Sequence, residues 1–549
     1  MRQFYLTFRV LGVLTAAACS DTLVSENTNQ PERDRALSQP ADVETFIGNA
    51  YNTVHRGTIG GQNDALQPGM QVMGLENSSL LSNFDMNVRG GMPRQAVDNS
   101  RGNSGLTIHY YNWRILHSAA RSAALGMAAI GDGVVFVDTA RNARNRAFGY
   151  FVMGLGLGNI ALAYDSVSVI KWDDPADQYD FPLVGYSAGM DLALAYLDTA
   201  IAIANTTPGG FPLPTSFLNG AVGSAAGGAA TQADFVRFIR SYKARFRAGV
   251  ARNPTERAAV DWNAVIADAQ NGNQRDYSIA ASPTAGWDVV WPIQHYLYQN
   301  WHQMWQFIMG MADTSGGYDA WLALPQASKQ PFLVQTPDRR FPAGGDRATQ
   351  QANSPAAPPA GLYFRNRPSG EDVLTSNPLG NSYYDFYRFA AWRNPPASRN
   401  GPYPVFTRAE LNGLIAEGAI YTSQFALATQ YIDSSRVRSG LPSVAGISDL
   451  ATPVPGGAAC VPRIPIGPNY TTSACGNLLE AMKWEYRMET AYTGFGMWYM
   501  AGRGWGDLPE GTPEQHPVPY QELDVRSVPL YNLGGVGKPS GSLRGTYGL

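Results

Sequence analysis

Apolar residues recur at three- and four-residue steps along most of the chain, the spacing of helices with one buried face. The pattern predicts a first helix starting near Pro40-Ala41-Asp42, with Val43, Phe46, Ile47, Ala50, Tyr51 and Val54 on one side. A long helix is expected over 105–131, where Trp113, Leu116, Ala120, Ala123, Met127 and Ile130 keep the period. In the next, over 138–165, Ala140, Ala143, Ala147, Phe151, Gly154, Gly158 and Ala161 place small residues on one face, where a neighbouring helix can approach closely. Further helical patterns cover 187–205, 231–251, 255–270, 407–417, 421–438 and 477–501. Strand alternation is almost absent and no βαβ rhythm appears, so the expected fold class is all-α. Consecutive helix pairs of about 30–40 residues suggest a TPR-like helical repeat.

The periodicity lapses twice. Residues 57–104 are rich in glycine and asparagine, and residues 271–400 form a long irregular insertion punctuated by Gly and Pro, with one or two short helices around 295–311. Five of the 12 tryptophans fall in a short part of that insertion: Trp287, Trp291, Trp301, Trp305 and Trp321, with Tyr296, Tyr298 and Tyr318 interleaved. Sugar rings present apolar C–H faces that stack on flat aromatic surfaces, while Asn, Asp and Arg bind their hydroxyls. An aromatic-rich irregular segment therefore suits glycan capture, although aromatic rings also carry much of any core.

The N-terminus reads as an address. Arg2 and Arg9 precede the apolar stretch Val10–Ala18, which ends in Ala16-Ala17-Ala18-Cys19. A basic start, a short apolar run and small residues before a cut are the parts of a secretory signal. The cysteine after the small residues resembles a lipobox and makes Cys19 the expected lipidation site, although Ala16 stands where Leu is usual and the same Ala-x-Ala also suits ordinary signal cleavage. Cys460 and Cys475 are then an even pair in an exported protein, bracketing a Pro- and Gly-rich loop, and a disulfide is the natural reading. The run Phe151–Ala163 is expected to be too short to cross a membrane. A hydrophobic content of 44% excludes wholesale disorder, and a net charge of −3 offers no basic footprint for nucleic acid. No metal or cofactor is expected: there is no CxxC, and the six His show no ligand spacing.

Gly185-Tyr186-Ser187-Ala188-Gly189 matches GxSxG, the nucleophile elbow of α/β-hydrolases. The elbow needs a buried strand before it, and the preceding residues are short and interrupted by Pro182, so Ser187 is expected to cap or open a helix. A secreted serine or glycoside hydrolase is the alternative function. Glu480, Glu485 and Glu489, with Lys483 and Arg487, read as ordinary charge pairing along a helix. His295 and His302, seven apart, could share a helix face.

An ordered set of segments resembles the RagB/SusD family of outer-membrane nutrient-uptake lipoproteins. Asn29-Gln30-Pro31 and Gln39-Pro40-Ala41-Asp42 are similar to the family's tether and first helix, and Tyr186–Ile203 to a helix of the form "Y…ALxxLDxAI". Ile432-Asp433-Ser434-Ser435-Arg436-Val437-Arg438-Ser439-Gly440-Leu441-Pro442 resembles "INxVRxRxGLP", and Lys483-Trp484-Glu485-Tyr486-Arg487-Met488-Glu489 resembles "ERRxEL". In Gly494-Phe495-Gly496-Met497-Trp498 the usual "EGxRW" is altered, and His516-Pro517-Val518-Pro519 with Glu522 resembles the terminal "hPIPxxE". The resemblance implies a TPR-like, SusD-like scaffold on the cell surface, without catalysis. Such a protein would bind a nutrient, often an oligosaccharide, and pass it to a TonB-dependent, SusC-like outer-membrane barrel. The expected divisions are a signal peptide at 1–18, a lipidated tether at 19–40, a helical region at 41–270, the insertion at 271–400 as candidate binding region, and helical pairs with a tail at 401–549. Asn83, Asp85, Trp287, Trp291, Tyr296 and Tyr363 are the candidate ligand-binding residues, chosen from chemistry and location.

Overall fold

The computed structural model describes residues 37–60, 66–80, 86–103, 107–221, 230–289, 302–372, 374–375, 377–390 and 400–549. Its main helices are α1 (Pro40–Arg56), α2 (Thr107–Gly131), α3 (Thr139–Ala163), α4 (Tyr186–Thr206), α5 (Gln232–Gly249), α6 (Trp262–Gln270), α7 (Arg408–Tyr421), α8 (Phe425–Arg436), α9 (Leu478–Thr490), α10 (Met497–Trp505) and α11 (Tyr520–Val525). From α1 to α9 each helix packs against the next in chain order, the neighbour-on-neighbour stacking of a helical repeat. Local polar residues start them. Asp138 accepts from the Ala140 amide at α3, Thr231 and Asp234 form a capping box at α5, and Thr407 and Asn477 cap α7 and α9.

α3 is the hub of the N-terminal half. It is long and apolar enough to cross a membrane by length and composition, as is α4, but 94% of its most apolar window is buried inside the protein. Its small residues do not line one face, as the periodicity suggested; they serve three neighbours. A Cβ on Gly154 would fall 2.8 Å from Leu197 on α4, one on Gly156 2.8 Å from the Leu116 carbonyl on α2, and one on Gly158 2.2 Å from the Phe246 ring on α5. Arg141 donates to Glu44 at 2.8 Å and ties α1 to the start of the same helix.

Two expected helices are broken. The 255–270 pattern splits into a turn at Pro254–Ala258 and α6, because Asp261 caps α6 through the Ala264 amide. The 477–501 pattern splits into α9 and α10, because Tyr492, Gly494 and Gly496 all take positive φ. The bend is held from outside: the Tyr492 amide donates to Glu76 at 2.6 Å and the Gly496 amide to Gln67 at 2.8 Å.

Eleven strands, none longer than six residues, form five small antiparallel sheets among the described residues: β1 (Asn77–Ser79) with β6 (His302–Met304), β2 (Ser166–Ser168) with β3 (Leu183–Gly185), β4 (Gly220–Ala221) with β5 (Tyr277–Ala281) and β9 (Gly401–Phe406), β7 (Phe364–Asn366) with β8 (Tyr384–Phe386), and β10 (Arg463–Ile466) with β11 (Thr472–Cys475). Strands this short give alternation no room to show in a sequence. β5 and β9 leave and re-enter the helical stack, since α6 and α7 pack directly on each other. Cys460 and Cys475 are joined in a disulfide at the open end of the β10–β11 hairpin.

Ion pairs are sealed between helices. Arg245 forks onto Glu410 at 2.6 Å, and Arg257 forks onto Glu417, which also accepts from the Trp505 indole at 2.7 Å; all four charged groups are buried. Removing one partner of such a pair leaves a desolvated charge. Arg257→Met is expected to lower the unfolding free energy by about 3–5 kcal/mol in guanidinium titrations. Gly156→Ala, which presses a methyl on a backbone carbonyl that cannot yield, is expected to cost about 1–3 kcal/mol in the same assay.

Candidate functional site

Of the six sequence-expected binding residues, Trp287 and Tyr363 lie among the described residues, and both are buried. Asn83, Asp85, Trp291 and Tyr296 lie outside the described residues, as do Trp301, Tyr298, His295 and Cys19. Trp287 is 8% exposed and packs on Tyr51 and His55 of α1, with ring centroids 6.0 and 5.1 Å away. Tyr363 is buried, and its hydroxyl lies 3.0 Å from both Glu489 carboxylate oxygens. Trp305, Tyr318 and Trp321 are core as well. Among the described members, the aromatic cluster that suggested stacking on sugars instead holds the insertion together.

Ser187 is exposed in the first turn of α4. Gly185 occupies the N-cap and makes no side-chain cap bond, so Ser187 opens the helix without capping it. The strand before it, β3, is three residues long and among the described residues pairs with β2 alone, which is not the buried sheet that an elbow requires. His302 sits buried on β6, not on a helix face. Among the described residues no three His, Cys, Asp or Glu side chains gather as metal ligands.

A cleft of about 250 Å3 opens where α2, the loop after β2 and the end of α11 meet. α2 supplies Tyr110, Arg114, His117, Ser118 and Arg121, a run of three-, four- and seven-residue steps that lies on one helical face. The stripe beside it, Trp113, Leu116 and Ala120, is buried and fixes which way this face points. The loop adds Tyr179 and Phe181, and α11 with its following residue adds Glu522 and Arg526. Tyr179 is 90% exposed, the barest aromatic ring among the described residues.

The walls are braced from behind. His117 donates through Nδ1 to the Trp113 carbonyl at 2.9 Å, and its Nε2 accepts the Ser168 amide at 3.1 Å, which pins the loop to α2. Burial, helped by the nearby Arg526 cation and only partly opposed by the bond to Trp113, pushes this imidazole down to about 4. Arg121 lies over the Phe181 ring at 5.2 Å and donates to the Pro175 carbonyl. Arg526 bridges Glu522 at 2.7 Å and Asp180 at 3.0 Å, which holds the segment that carries Tyr179. Towards the opening, Tyr110, Arg114 and Ser118 have no hydrogen-bond partner for their side chains among the described residues. The cleft thus offers flat apolar rings beside unspent hydroxyl and guanidinium donors. With both ring nitrogens of His117 engaged inside the protein, that residue has no nitrogen left to take a proton from a bound molecule.

None of these residues was singled out from sequence as binding ligand; Trp113 was expected in the core and Glu522 only as part of the terminal motif. The signal was present, as a helix face that mixes Tyr, Arg, His and Ser opposite an apolar stripe. In sequence it is indistinguishable from a solvated face, because Ser168, where the loop begins, and Glu522 in α11, which roof it, lie 50 and 404 residues beyond Ser118.

One pH effect follows from this geometry. A histidine held neutral below its unfolded value of about 6.5 adds stability in full above pH 6.5, and that stability is lost as pH falls towards 4. The gap in unfolding free energy between wild type and His117→Gln is expected to be widest at pH 7 and to shrink between pH 6.5 and 4, read by denaturant titration at each pH.

No family model matches the chain, and no curated protein does. Solved structures do. A SusD superfamily protein from Parabacteroides distasonis aligns with a TM-score of 0.53 at 11% identity, over 89% of this chain and 97% of that one. A SusD-like protein from Bacteroides fragilis aligns at 0.50 with 14% identity, over 86% of this chain and 87% of that one. A SusD superfamily protein from Bacteroides vulgatus aligns at 0.50 with 12% identity, over 86% and 89%. Helix-on-helix stacking over nearly the whole length, shared at so low an identity, is a likeness of backbone, and the chain has the SusD-like fold.

Proposed function

We propose that this protein is a non-catalytic substrate-binding protein that captures a nutrient, an oligosaccharide in the first instance, at the cleft between α2 and α11. The observation that carries the reading is the pairing of two aromatic rings, the exposed Tyr179 and the half-buried Phe181, with the unspent donors of Tyr110, Arg114 and Ser118. A pyranose offers what this surface lacks: C–H faces for the rings and hydroxyls for the donors. The SusD-like fold supports the wider setting. In that setting Cys19 carries lipid on the outer face of the outer membrane, and the captured nutrient passes to a TonB-dependent, SusC-like barrel. The division into a helical region (41–270), an insertion (271–400) and C-terminal helical pairs (401–549) belongs to the same reading. So does a ligand-binding role for the irregular segments that contain Asn83, Asp85, Trp291 and Tyr296.

The test has two parts. Gentle detergent extraction of the native protein is expected to bring down a large β-barrel at near-equal stoichiometry and to show lipid on Cys19; a lone unlipidated chain would count against the surface role. A glycan screen is expected to find an oligosaccharide whose affinity drops at least tenfold in Tyr179→Ala, with an unchanged melting temperature because that ring is almost wholly exposed. Equal affinity in the variant would remove the cleft from the reading.

A further inference from the structure

A second cleft, of about 170 Å3, lies between α7, α8 and α9, and its chemistry differs from the first. Three guanidinium groups line it: Arg388, Arg408 and Arg438. Beneath them are Glu485 and Glu489, both buried.

The carboxylates there are already satisfied. Glu489 accepts from Arg438 at 2.8 Å, has the Ser435 and Tyr363 hydroxyls at 2.8 and 3.0 Å, and lies 3.4 Å from Arg388. These cations hold its carboxyl below the usual range despite burial, which acts the other way. Glu485 is bound by Arg340 at 2.8 Å and shares the Ser435 hydroxyl. Asp276, at the rim, accepts the Arg408 backbone amide at 2.8 Å and so caps the start of α7.

The guanidinium groups are not equally satisfied. Arg438 gives one nitrogen to Glu489 while its side chain stays 60% exposed. Arg388 lies over the Tyr363 ring at 4.2 Å and the Phe389 ring at 5.4 Å and donates to the Glu489 carbonyl at 3.3 Å, with its side chain 22% exposed. Arg408 donates through one nitrogen to the carbonyls of Ala269 and Asn273, at 3.2 and 2.9 Å, and among the described residues no carboxylate lies within 4 Å of it. Burial pushes that guanidinium down, opposed only by the neighbouring Tyr431 hydroxyl and by no carboxylate.

A narrow cleft whose acids are spent and whose arginines retain open donor edges is built to receive an anion of planar shape, because the guanidinium fork matches a carboxylate. We infer that this cleft is a binding site for the carboxylate group of a small acid, a sugar acid or a simple organic acid, separate from the aromatic cleft on α2. Its size admits one such unit and not a chain. The docked group completes the ion pair that Arg408 lacks and shares Arg438 with Glu489.

The experiment is isothermal titration of the purified full-length protein with glucuronate, glutarate and glucose, at low salt and at 0.5 M salt, in wild type, Arg438→Gln and Arg408→Gln. Saturable binding of glucuronate but not glucose, weakened at least tenfold by Arg438→Gln and by high salt, supports a sugar-acid site. The same pattern with glutarate alone supports a simple organic acid. Arg438→Gln is expected to keep the wild-type melting temperature, since Glu489 retains Arg388, Arg340, Ser435 and Tyr363. Glycan binding at the α2 cleft should be unaltered in both variants, so failure here and failure there are separable. Absence of saturation by either acid, affinity for glucose equal to that for glucuronate, or wild-type affinity in both variants would overturn the inference.

Discussion

A helix with five charged side chains lies inside this protein, and the C-terminal half is organised to satisfy it. Twelve of the thirteen residues of α9 are buried, including Glu480, Lys483, Glu485, Arg487 and Glu489. Each ion taken out of water costs several kcal/mol unless matched in place. The match comes from far along the chain. Asp507 receives Lys483 at 2.9 Å and Arg487 at 2.6 Å, Tyr547 donates to Glu480, and Arg340 and Arg438 reach Glu485 and Glu489. The insertion, α8 and the tail are therefore drawn to one helix by groups that have nowhere else to be neutralised. Glu410 and Glu417 on α7, answered by Arg245 and Arg257, repeat the scheme one layer away.

This constraint also explains the contrast between the two clefts. Around α9 nearly every donor is already assigned, so what remains open is the outer edge of a few arginines. α2 is anchored from within by its apolar stripe and by the buried bonds of Asn112 and His109, and its outer polar side is left for solvent or ligand. Arg526 with Glu522, His117 and Arg121 are spent there on holding the roof in position. One cleft is what an ion network leaves over, and the other is a helix face with a loop closed across it.

The long insertion sits within the same logic. Its aromatic residues gain more from burial than from display: Trp305 donates to the Asn77 carbonyl at 2.5 Å, and Tyr318, Trp321 and Phe332 stack with centroids about 6 Å apart. A segment with few regular hydrogen bonds needs such a core of its own, and β5 with β9 secures its root to the helical stack.

The helical framework was legible in the sequence because helix periodicity is local: α1 to α5, α7 and α8 begin and end within a few residues of the pattern that announces them. The ordered motifs likewise pointed to the SusD-like fold, since several short segments in the right order are informative even when each is weak. The breaks at Asp261 and at Tyr492–Gly496 were missed, because a cap or a left-handed turn outweighs apolar spacing that runs on through it. The charges of α9 read as ordinary pairing along a helix, and Lys483 does meet Glu480 at 3.1 Å, but the remaining partners come from elsewhere for a physical reason. Spacing of three and four residues says which side chains share a helix face, but not whether that face meets water or Arg340, 145 residues away. Trp287 and Tyr363 were misplaced by the same limit, since ring chemistry is identical in a core and in a cleft. The sequence by itself determined the helices, their order and the fold they build. Only the tertiary structure decided which polar faces are covered, because desolvation and pairing depend on neighbours that the chain brings together from a distance.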